Sequence, residues 1–125
     1  RTVEARRALA ATLQREAAAG RCLIVDRLTL WLTNLLEGAE QLPPGADAGA
    51  LPALRAEREA LLATLPQLPG QIILVANEVG LGLVPETPLG RLFRDEAGRL
   101  NQQVAQLADT VTFVAAGLPL VLKQG

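Results

Sequence analysis

The sequence predicts an α/β domain with three layers, in which helices cover both faces of a mostly parallel sheet. Two segments, 21–26 and 71–77, have a continuous apolar run at their centre, which is typical of strands that are buried on both faces of a parallel sheet. Amphipathic segments with helical spacing lie between and around them. Half of the 125 residues are hydrophobic, so residues 1–125 can form the core of one domain.

The first part of the chain is predicted to form a helix, a strand and a second helix, in that order. Residues 4–19 have apolar side chains at every fourth position, and Thr2 and Gly20 stand where a helix N-cap and a helix end belong. Residues 21–26 are expected to form the first strand. The strongly apolar segment 28–37 is expected to form the second helix.

The second part of the chain predicts two more helices and three more strands after a loop. Residues 39–50 are rich in Pro, Gly and Ala, which indicates a variable loop. A hairpin with its turn at 116–119 is expected near the C-terminus. Four strands are few for such a sheet, which indicates that further strands belong to it. The expected elements are helices at 52–65 and 89–107 and strands at 71–77, 110–115 and 120–123.

Composition excludes several classes of protein and of site. Twelve basic and thirteen acidic residues give a net charge of -1, which provides no electrostatic footprint for nucleic acid or an anionic membrane. The sequence contains no run of 18 apolar residues, so no transmembrane helix is predicted. The absence of histidine excludes histidine metal sites, Ser-His-Asp triads and nucleotidyl-histidine chemistry within these residues. Cys22 is the single cysteine, which argues against disulfides and fits a reduced, cytoplasmic setting.

Polar residues follow both predicted parallel strands, at the edge where ligands bind in open α/β sheets. The first strand ends at Asp26, and the second ends at Asn77 and Glu78. Carboxylates at neighbouring strand ends can hold Mg²⁺ and a phosphorylated substrate. Asp26 after CLIV has the form of a Walker B carboxylate, although a solvated helix cap is an equally good interpretation.

The segment 77–88 predicts a glycine-containing loop beyond the second strand. Gly80 and Gly82 allow the backbone to approach a ligand or to take a positive φ, unless they serve only to turn the chain. The loop matches neither the P-loop order nor the dinucleotide fingerprint. Arg91 and Arg94 begin the next helix and can bind phosphate, whereas the alternative is an exposed helix face with a weak arginine–aspartate pair.

Two residues of the apolar segment 28–37 stand out by their type. Asn34 lies among leucines, so it either faces solvent or contacts backbone, and a structural role is the favoured interpretation. Trp31 is expected in the core or at a subunit interface and not as a platform for a ligand.

Three blocks of the sequence together form the pattern of a known family. The stretch NEVGLGLVPETPLGRLFRDEAGRLNQQVAQLADTVTFVAAGLPLVLK at 77–123 closely resembles the C-terminal signature of the adenosylcobinamide kinase/adenosylcobinamide-phosphate guanylyltransferase family of cobalamin biosynthesis. CLIVDRLTLWLTNLL at 22–36 resembles its second block, and RTVE at 1–4 resembles the end of an earlier block. The resemblance spans nearly the whole chain, and 39–70 is its variable part.

The resemblance implies a P-loop-containing α/β fold, a homotrimer and two reactions. Adenosylcobinamide is phosphorylated with ATP or GTP, and GMP is then transferred from GTP through a guanylyl-histidine intermediate to give adenosylcobinamide-GDP. By the same resemblance, Glu4 matches an acidic residue that contacts the guanine nucleotide. Asp26 matches a second acidic residue of the nucleotide site, where it would hold Mg²⁺ directly or through water.

The chain departs from the family pattern in two respects. The glycine-rich P-loop with its Lys and Ser, and the nucleophilic His, would lie upstream of Arg1, so we expect this chain to be the C-terminal two-thirds of a longer protein. We also expect a sheet that is open in its middle, with two unpaired edges, and no activity from the chain alone. The alternatives are a truncated, non-catalytic binding or assembly module of the same fold and an unrelated α/β nucleotide-binding enzyme.

Overall fold

The computed structural model describes residues 2–36, 51–77 and 87–125, except the Pro88 side chain. Within this part of the chain, the order of helices and strands is the predicted one. The predicted loop 39–50 lies outside the described residues. The helices are α1 (Leu9–Glu16), α2 (Leu28–Leu35), α3 (Pro52–Thr64), which a 3-10 turn (Leu65–Gln67) extends, and α4 (Pro88–Leu107). The strands are β1 (Cys22–Asp26), β2 (Gln71–Val75), β3 (Thr110–Ala115) and β4 (Leu118–Gln124).

The strands β1 and β2 form a parallel pair without any shift in register. Cys22 faces Gln71 at one end, and Asp26 faces Val75 at the other. The parallel pairing of the two apolar strands is therefore confirmed. Since the register is continuous, both strands end at the same level of the sheet.

A close backbone approach at Gly70 sets where β2 begins. Gly70 has φ +82, and a Cβ there would collide with the carbonyl oxygens of Ala18 and Arg21. The next residue, Gln71, donates its N–H to the Arg21 carbonyl at 3.0 Å. Glycine satisfies both the positive φ and the lack of space, so the turn before β1 can fix the start of β2.

The strands β3 and β4 form an antiparallel hairpin, as predicted, with a shorter turn than expected. Ala116 and Gly117 have φ of 53 and 75, so the connection is a two-residue turn with positive φ at both positions, whose twist suits a hairpin. A register shift between Val111 and Thr112 marks a bulge in the pairing. The predicted turn over 116–119 and the strand start at 120 were wrong, because the two-residue turn lets pairing begin at Leu118.

The hairpin does not join the parallel pair. The described residues form two separate two-stranded sheets, β1–β2 and β3–β4. The side chain of Lys123 on β4 donates to the carbonyls of Ala105 and Gln106 at 3.1 and 3.0 Å. Since these carbonyls belong to the last turn of α4, the ammonium group satisfies unpaired helix acceptors and attaches the hairpin there. The expectation of one four-stranded sheet is not met in this part of the chain.

Helices cover one face of the parallel pair. Leu23 and Val25 of β1 pack against the helical core. The alternate residues point the other way, and Ile24, Ile73 and Val75 are 65%, 40% and 39% exposed. The described residues therefore form two layers and not the predicted three, because the second apolar face of the sheet has no helix on it. The core residues below 3% exposure are Leu28, Leu32, Leu54, Leu61, Ala97 and Leu100.

The N-terminal residues do not extend α1 as the sequence predicts. The expected helix 4–19 is shortened to Leu9–Glu16, and Ala8 is its N-cap residue, so the N-cap prediction for Thr2 was wrong. Residues 2–8 have no helical hydrogen-bond pattern. The carbonyls of Arg6 and Arg7 instead accept hydrogen bonds from side chains of α2. This tertiary interaction takes acceptors that a longer helix would use.

A buried carboxylate joins α3 to α4. Glu96 is 2% exposed and accepts from Arg58 Nη1 and Arg99 Nη1 at 2.6 Å each. Arg58 is also mostly buried, with 15% of its side chain exposed, whereas Arg99 is 52% exposed. Two charge-assisted hydrogen bonds compensate for the burial of the charge. The bond from Arg58 links α3 to α4, whereas the bond from Arg99 lies within α4.

Among the described residues, no helix combines the length and the apolar character needed to cross a bilayer.

We predict that Glu96→Ala lowers the free energy of unfolding by about 3 kcal/mol, because it leaves the Arg58 guanidinium buried without a partner. Urea denaturation of the 125-residue chain measures this change. Glu59→Ala is the matched control, since Glu59 forms a 3.2 Å pair with Arg55 in which both side chains are 63% exposed. The control is expected to change stability by less than about 0.5 kcal/mol. Equal effects of the two substitutions would contradict the role of burial.

Candidate functional site

The candidate site lies where β1 and β2 end. Asp26 is the last residue of β1 and faces Val75, the last residue of β2, so Asn77 follows at the same edge of the sheet. The Asp26 side chain is 71% exposed, and its nearest ionic partner is Arg27 Nε at 3.5 Å. A long pair at such exposure is weak and leaves the carboxylate accessible. Both strands end at the same edge, as predicted, but β2 ends at Val75 and not at the predicted Asn77.

A hydrogen bond from α4 holds the chain just after β2. Asn101 Nδ2 donates to the Asn77 carbonyl at 3.3 Å. The next residues of the predicted loop, Glu78, Gly80 and Gly82, lie outside the described residues. The backbone at Asn77 is therefore held by α4. The sequence analysis connected this helix to the site only through Arg91 and Arg94.

The start of α4 carries the two arginines that the sequence singled out. Thr87 is the N-cap residue, and its Oγ1 accepts from Gly90 N–H at 2.9 Å. Arg91 is exposed. Arg94 is 30% exposed on its side chain and contacts Asp95 Oδ1 at 3.2 Å. The arginine–aspartate pair exists, but a pair between neighbouring, partly exposed residues leaves both interpretations of Arg94 open.

Glu4 lies in an irregular segment that is attached to α2. We call residues 2–8 the N-terminal arm. Trp31 Nε1 donates to the Arg7 carbonyl at 2.8 Å, and Asn34 Nδ2 donates to the Arg6 carbonyl at 3.1 Å. Glu4 itself is exposed.

Among the described residues at the ends of β1 and β2, Asp26 is the one carboxylate that can bind a metal ion. Within residues 2–36, 51–77 and 87–125, no group of three or more acidic or cysteine side chains is arranged to bind a metal. Mg²⁺ bound to a nucleotide needs only one or two protein carboxylates, because phosphate oxygens and water complete its octahedral shell. The exposed carboxylate of Asp26 fits this requirement.

A depression of about 360 Å³ lies away from this edge of the sheet. Its lining includes Gln14, Thr64 and Pro69, and Pro69 comes two residues before the start of β2. Because Asp26 stands at the opposite end of the strands, this depression is no part of the candidate site.

The fold and the site define an α/β protein with a carboxylate at the ligand-binding edge of a parallel sheet. A family model described as cobinamide kinase / cobinamide phosphate guanyltransferase matches residues 1–122. The chain belongs to this family, which confirms the resemblance found in the sequence.

Curated relatives share almost the entire chain. The bifunctional adenosylcobalamin biosynthesis protein CobP of Pseudomonas aeruginosa is 55% identical, with 98% of this chain and 65% of the relative covered. The bifunctional adenosylcobalamin biosynthesis proteins CobU of Escherichia coli and Salmonella typhimurium are 37% and 38% identical, with 98% of this chain and 70% of each relative covered. This chain therefore spans about two thirds of the length of these relatives.

Sequence reasoning missed the connections that surround the predicted site residues. Trp31 was expected in the core or at a subunit interface, and it is 3% exposed, but its ring N–H was not connected to the arm. Asn34 was correctly given a structural contact to backbone, without its partner. The type of residue was the signal: a polar group in an apolar helix needs a hydrogen-bond partner. No comparable signal pointed to Asn101.

We predict that Thr87→Ala lowers the free energy of unfolding by about 1 kcal/mol, because it removes the acceptor that caps α4. Thermal or urea denaturation measures the change, and Thr87→Ser is expected to retain most of the stability. Thr12→Ala is a matched control, since the Thr12 hydroxyl donates to the Ala8 carbonyl within α1 and caps no free N–H. If Thr87→Ala and Thr12→Ala behave alike, capping does not explain the role of Thr87.

Proposed function

We propose that this chain is the part of a bifunctional enzyme that helps to bind the nucleotide for two consecutive transfers in cobalamin biosynthesis. The first transfer phosphorylates adenosylcobinamide with ATP or GTP, and the second moves GMP from GTP to the resulting phosphate. The observation that carries the proposal is the exposed Asp26 carboxylate at the end of a parallel strand, in a chain that belongs to the cobinamide kinase / cobinamide phosphate guanyltransferase family.

The proposal gives each residue at this edge a physical role. Asp26 accepts hydrogen bonds from nucleotide-bound water or holds Mg²⁺, which when present neutralises phosphate charge. Glu4 accepts hydrogen bonds from the guanine base or the ribose. Arg91 and Arg94 offer guanidinium groups at the start of α4, where the helix dipole also favours a phosphate. We assign to Asn77, Glu78, Gly80 and Gly82 a role in positioning the substrate or its phosphate.

The phosphate-binding loop and the nucleophile are proposed to lie in the portion of the relatives that this chain does not match. That portion makes up about a third of the Pseudomonas aeruginosa relative. A three-layer P-loop arrangement of the whole protein would give the apolar face with Ile24 and Ile73 a covering layer, as parallel sheets require. We propose a cytoplasmic homotrimer as the working assembly.

A non-catalytic binding or assembly module of the same fold is the second candidate. The observation that favours it is compositional: the 125 residues contain no histidine and no P-loop motif. Such a module would keep the core and the strand pairing but would have no need for an accessible carboxylate at Asp26.

We predict that Asp26→Ala weakens binding of Mg²⁺-GTP at least about tenfold, which corresponds to about 1.4 kcal/mol. The reason is the loss of a strand-end carboxylate that would bind the Mg²⁺ of the nucleotide. The test uses a chimera in which this chain replaces the matched part of the Pseudomonas aeruginosa relative, and titration calorimetry gives the GTP dissociation constant. Asp109→Ala is the control, because Asp109 is also exposed but lies before β3, outside the site.

The chimera also separates the two candidate functions. Turnover of both steps by the unmodified chimera is expected for the enzyme. A folded chimera that binds no GTP and transfers neither group supports the assembly module and contradicts the proposal. An unchanged affinity in Asp26→Ala removes the metal-site role of Asp26 alone.

We predict that Arg94→Ala lowers turnover of at least one step about tenfold, because it removes a charge-assisted contact to phosphate. Steady-state assays of each step in the same chimera measure the change, and circular dichroism checks that it folds. Asp95→Ala is the matched control, since it breaks the pair with Arg94 but keeps the guanidinium. A folded Arg94→Ala variant with full turnover of both steps shows that Arg94 serves only the helix surface.

A further inference from the structure

We infer that Trp31 and Asn34 are positioning residues of the nucleotide site, which fix the N-terminal arm and thereby the carboxylate of Glu4. The inference rests on the proposed function, in which Glu4 contacts the guanine nucleotide. It adds two side chains of α2 that touch no ligand themselves and act through the backbone of the arm.

The arm depends on tertiary contacts for its conformation. Residues 2–8 belong to no helix and no strand, so no backbone ladder holds them. Ala5 packs against the hydrophobic core. The side chains of Trp31 and Asn34 donate to the carbonyls of Arg7 and Arg6, two consecutive residues of the arm. An irregular segment that carries a binding residue must be ordered before it binds, and contacts of this kind reduce that entropic cost.

The two donors are themselves held firmly. Trp31 is 3% exposed, so packing on all sides fixes the direction in which its ring N–H points. Asn34 follows three positions later in the same helix and therefore lies on the same face, one turn further along. The Trp31 bond is made to the later residue of the arm and the Asn34 bond to the earlier one, so the arm crosses this face in the opposite direction to α2.

Two bonds from one helix, together with the packing of Ala5 against the core, restrict both the position and the direction of the arm. Contacts at two consecutive carbonyls limit rotation of the arm more than one of them would. Glu4 is only two residues from Arg6, so its carboxylate moves with the second bond. The same helix starts two residues after Asp26. One element thus connects the backbones of both proposed nucleotide contacts.

The first test is made on the 125-residue chain and concerns the arm alone. Asn34→Ala removes one donor without lowering helix propensity, and Trp31→Phe removes the ring N–H while keeping an aromatic side chain. Each is expected to raise the initial rate of trypsin cleavage after Arg6 and Arg7 about fivefold, as for a lost hydrogen bond of about 1 kcal/mol. Cleavage after Arg15 in α1 should not change. Thr33→Ala is the control, because its hydroxyl donates only within α2, to Thr29.

The second test asks whether the arm acts through Glu4. In the chimera with the Pseudomonas aeruginosa relative, Asn34→Ala is expected to weaken GTP binding about fivefold. The same substitution in a Glu4→Gln background should have little further effect, because the group that it positions is already altered. A purely structural role would give the same loss in both backgrounds, and that result, or unchanged trypsin rates in the first test, overturns the inference.

The proposed nucleotide site and the positioning role of α2 can be disproved separately. If Glu4→Gln and Asp26→Ala both leave GTP affinity unchanged, the proposed nucleotide site is wrong. If Glu4→Gln weakens binding while Asn34→Ala and Trp31→Phe do not, the site stands and the positioning role of α2 is wrong.

Discussion

The in-register parallel pairing of β1 with β2 is the constraint on which the candidate site depends. Parallel strands have no hairpin to align them, so another contact must set their level. Here the close approach of Gly70 to the turn before β1 and the bond from Gln71 to the Arg21 carbonyl set it at the amino ends. Asp26 and Asn77 therefore emerge at one edge. A shift by one residue would also reverse which side chains face the helices.

The helices supply the rigidity that this two-stranded sheet lacks. The buried carboxylate of Glu96 joins α4 to α3 through its pair with Arg58, inside an otherwise leucine-rich core. Ion pairs of this kind add little net stability compared with apolar packing, but they demand a single geometry. The position of α4 also matters for the candidate site. The same helix carries Arg94 near its start, and its Asn101 donates to the Asn77 carbonyl.

The helix α2 is strongly hydrophobic, yet two of its polar groups hold the backbone of the arm that carries Glu4. Three of its leucines, Leu28, Leu32 and Leu35, belong to the core, while the Trp31 ring N–H and the Asn34 amide donate to the backbone of the arm. This use of polar groups explains why the arm is not helical, although its sequence has helical spacing. If Glu4 contacts the guanine nucleotide as proposed, the fixed arm would hold that carboxylate at the nucleotide site.

The sequence by itself determined the order of helices and strands, the parallel character of β1 and β2, the hairpin and the family. These follow from periodicity, from continuous apolar runs and from long motifs, which are local properties of the chain. The tertiary structure decided what depends on distant partners: the start of α1 at Leu9, the separation of the hairpin from β1–β2 and the contacts of Trp31, Asn34 and Asn101. A hydrogen bond across 24 or 28 positions leaves no periodic trace in the sequence, so only the folded chain reveals it.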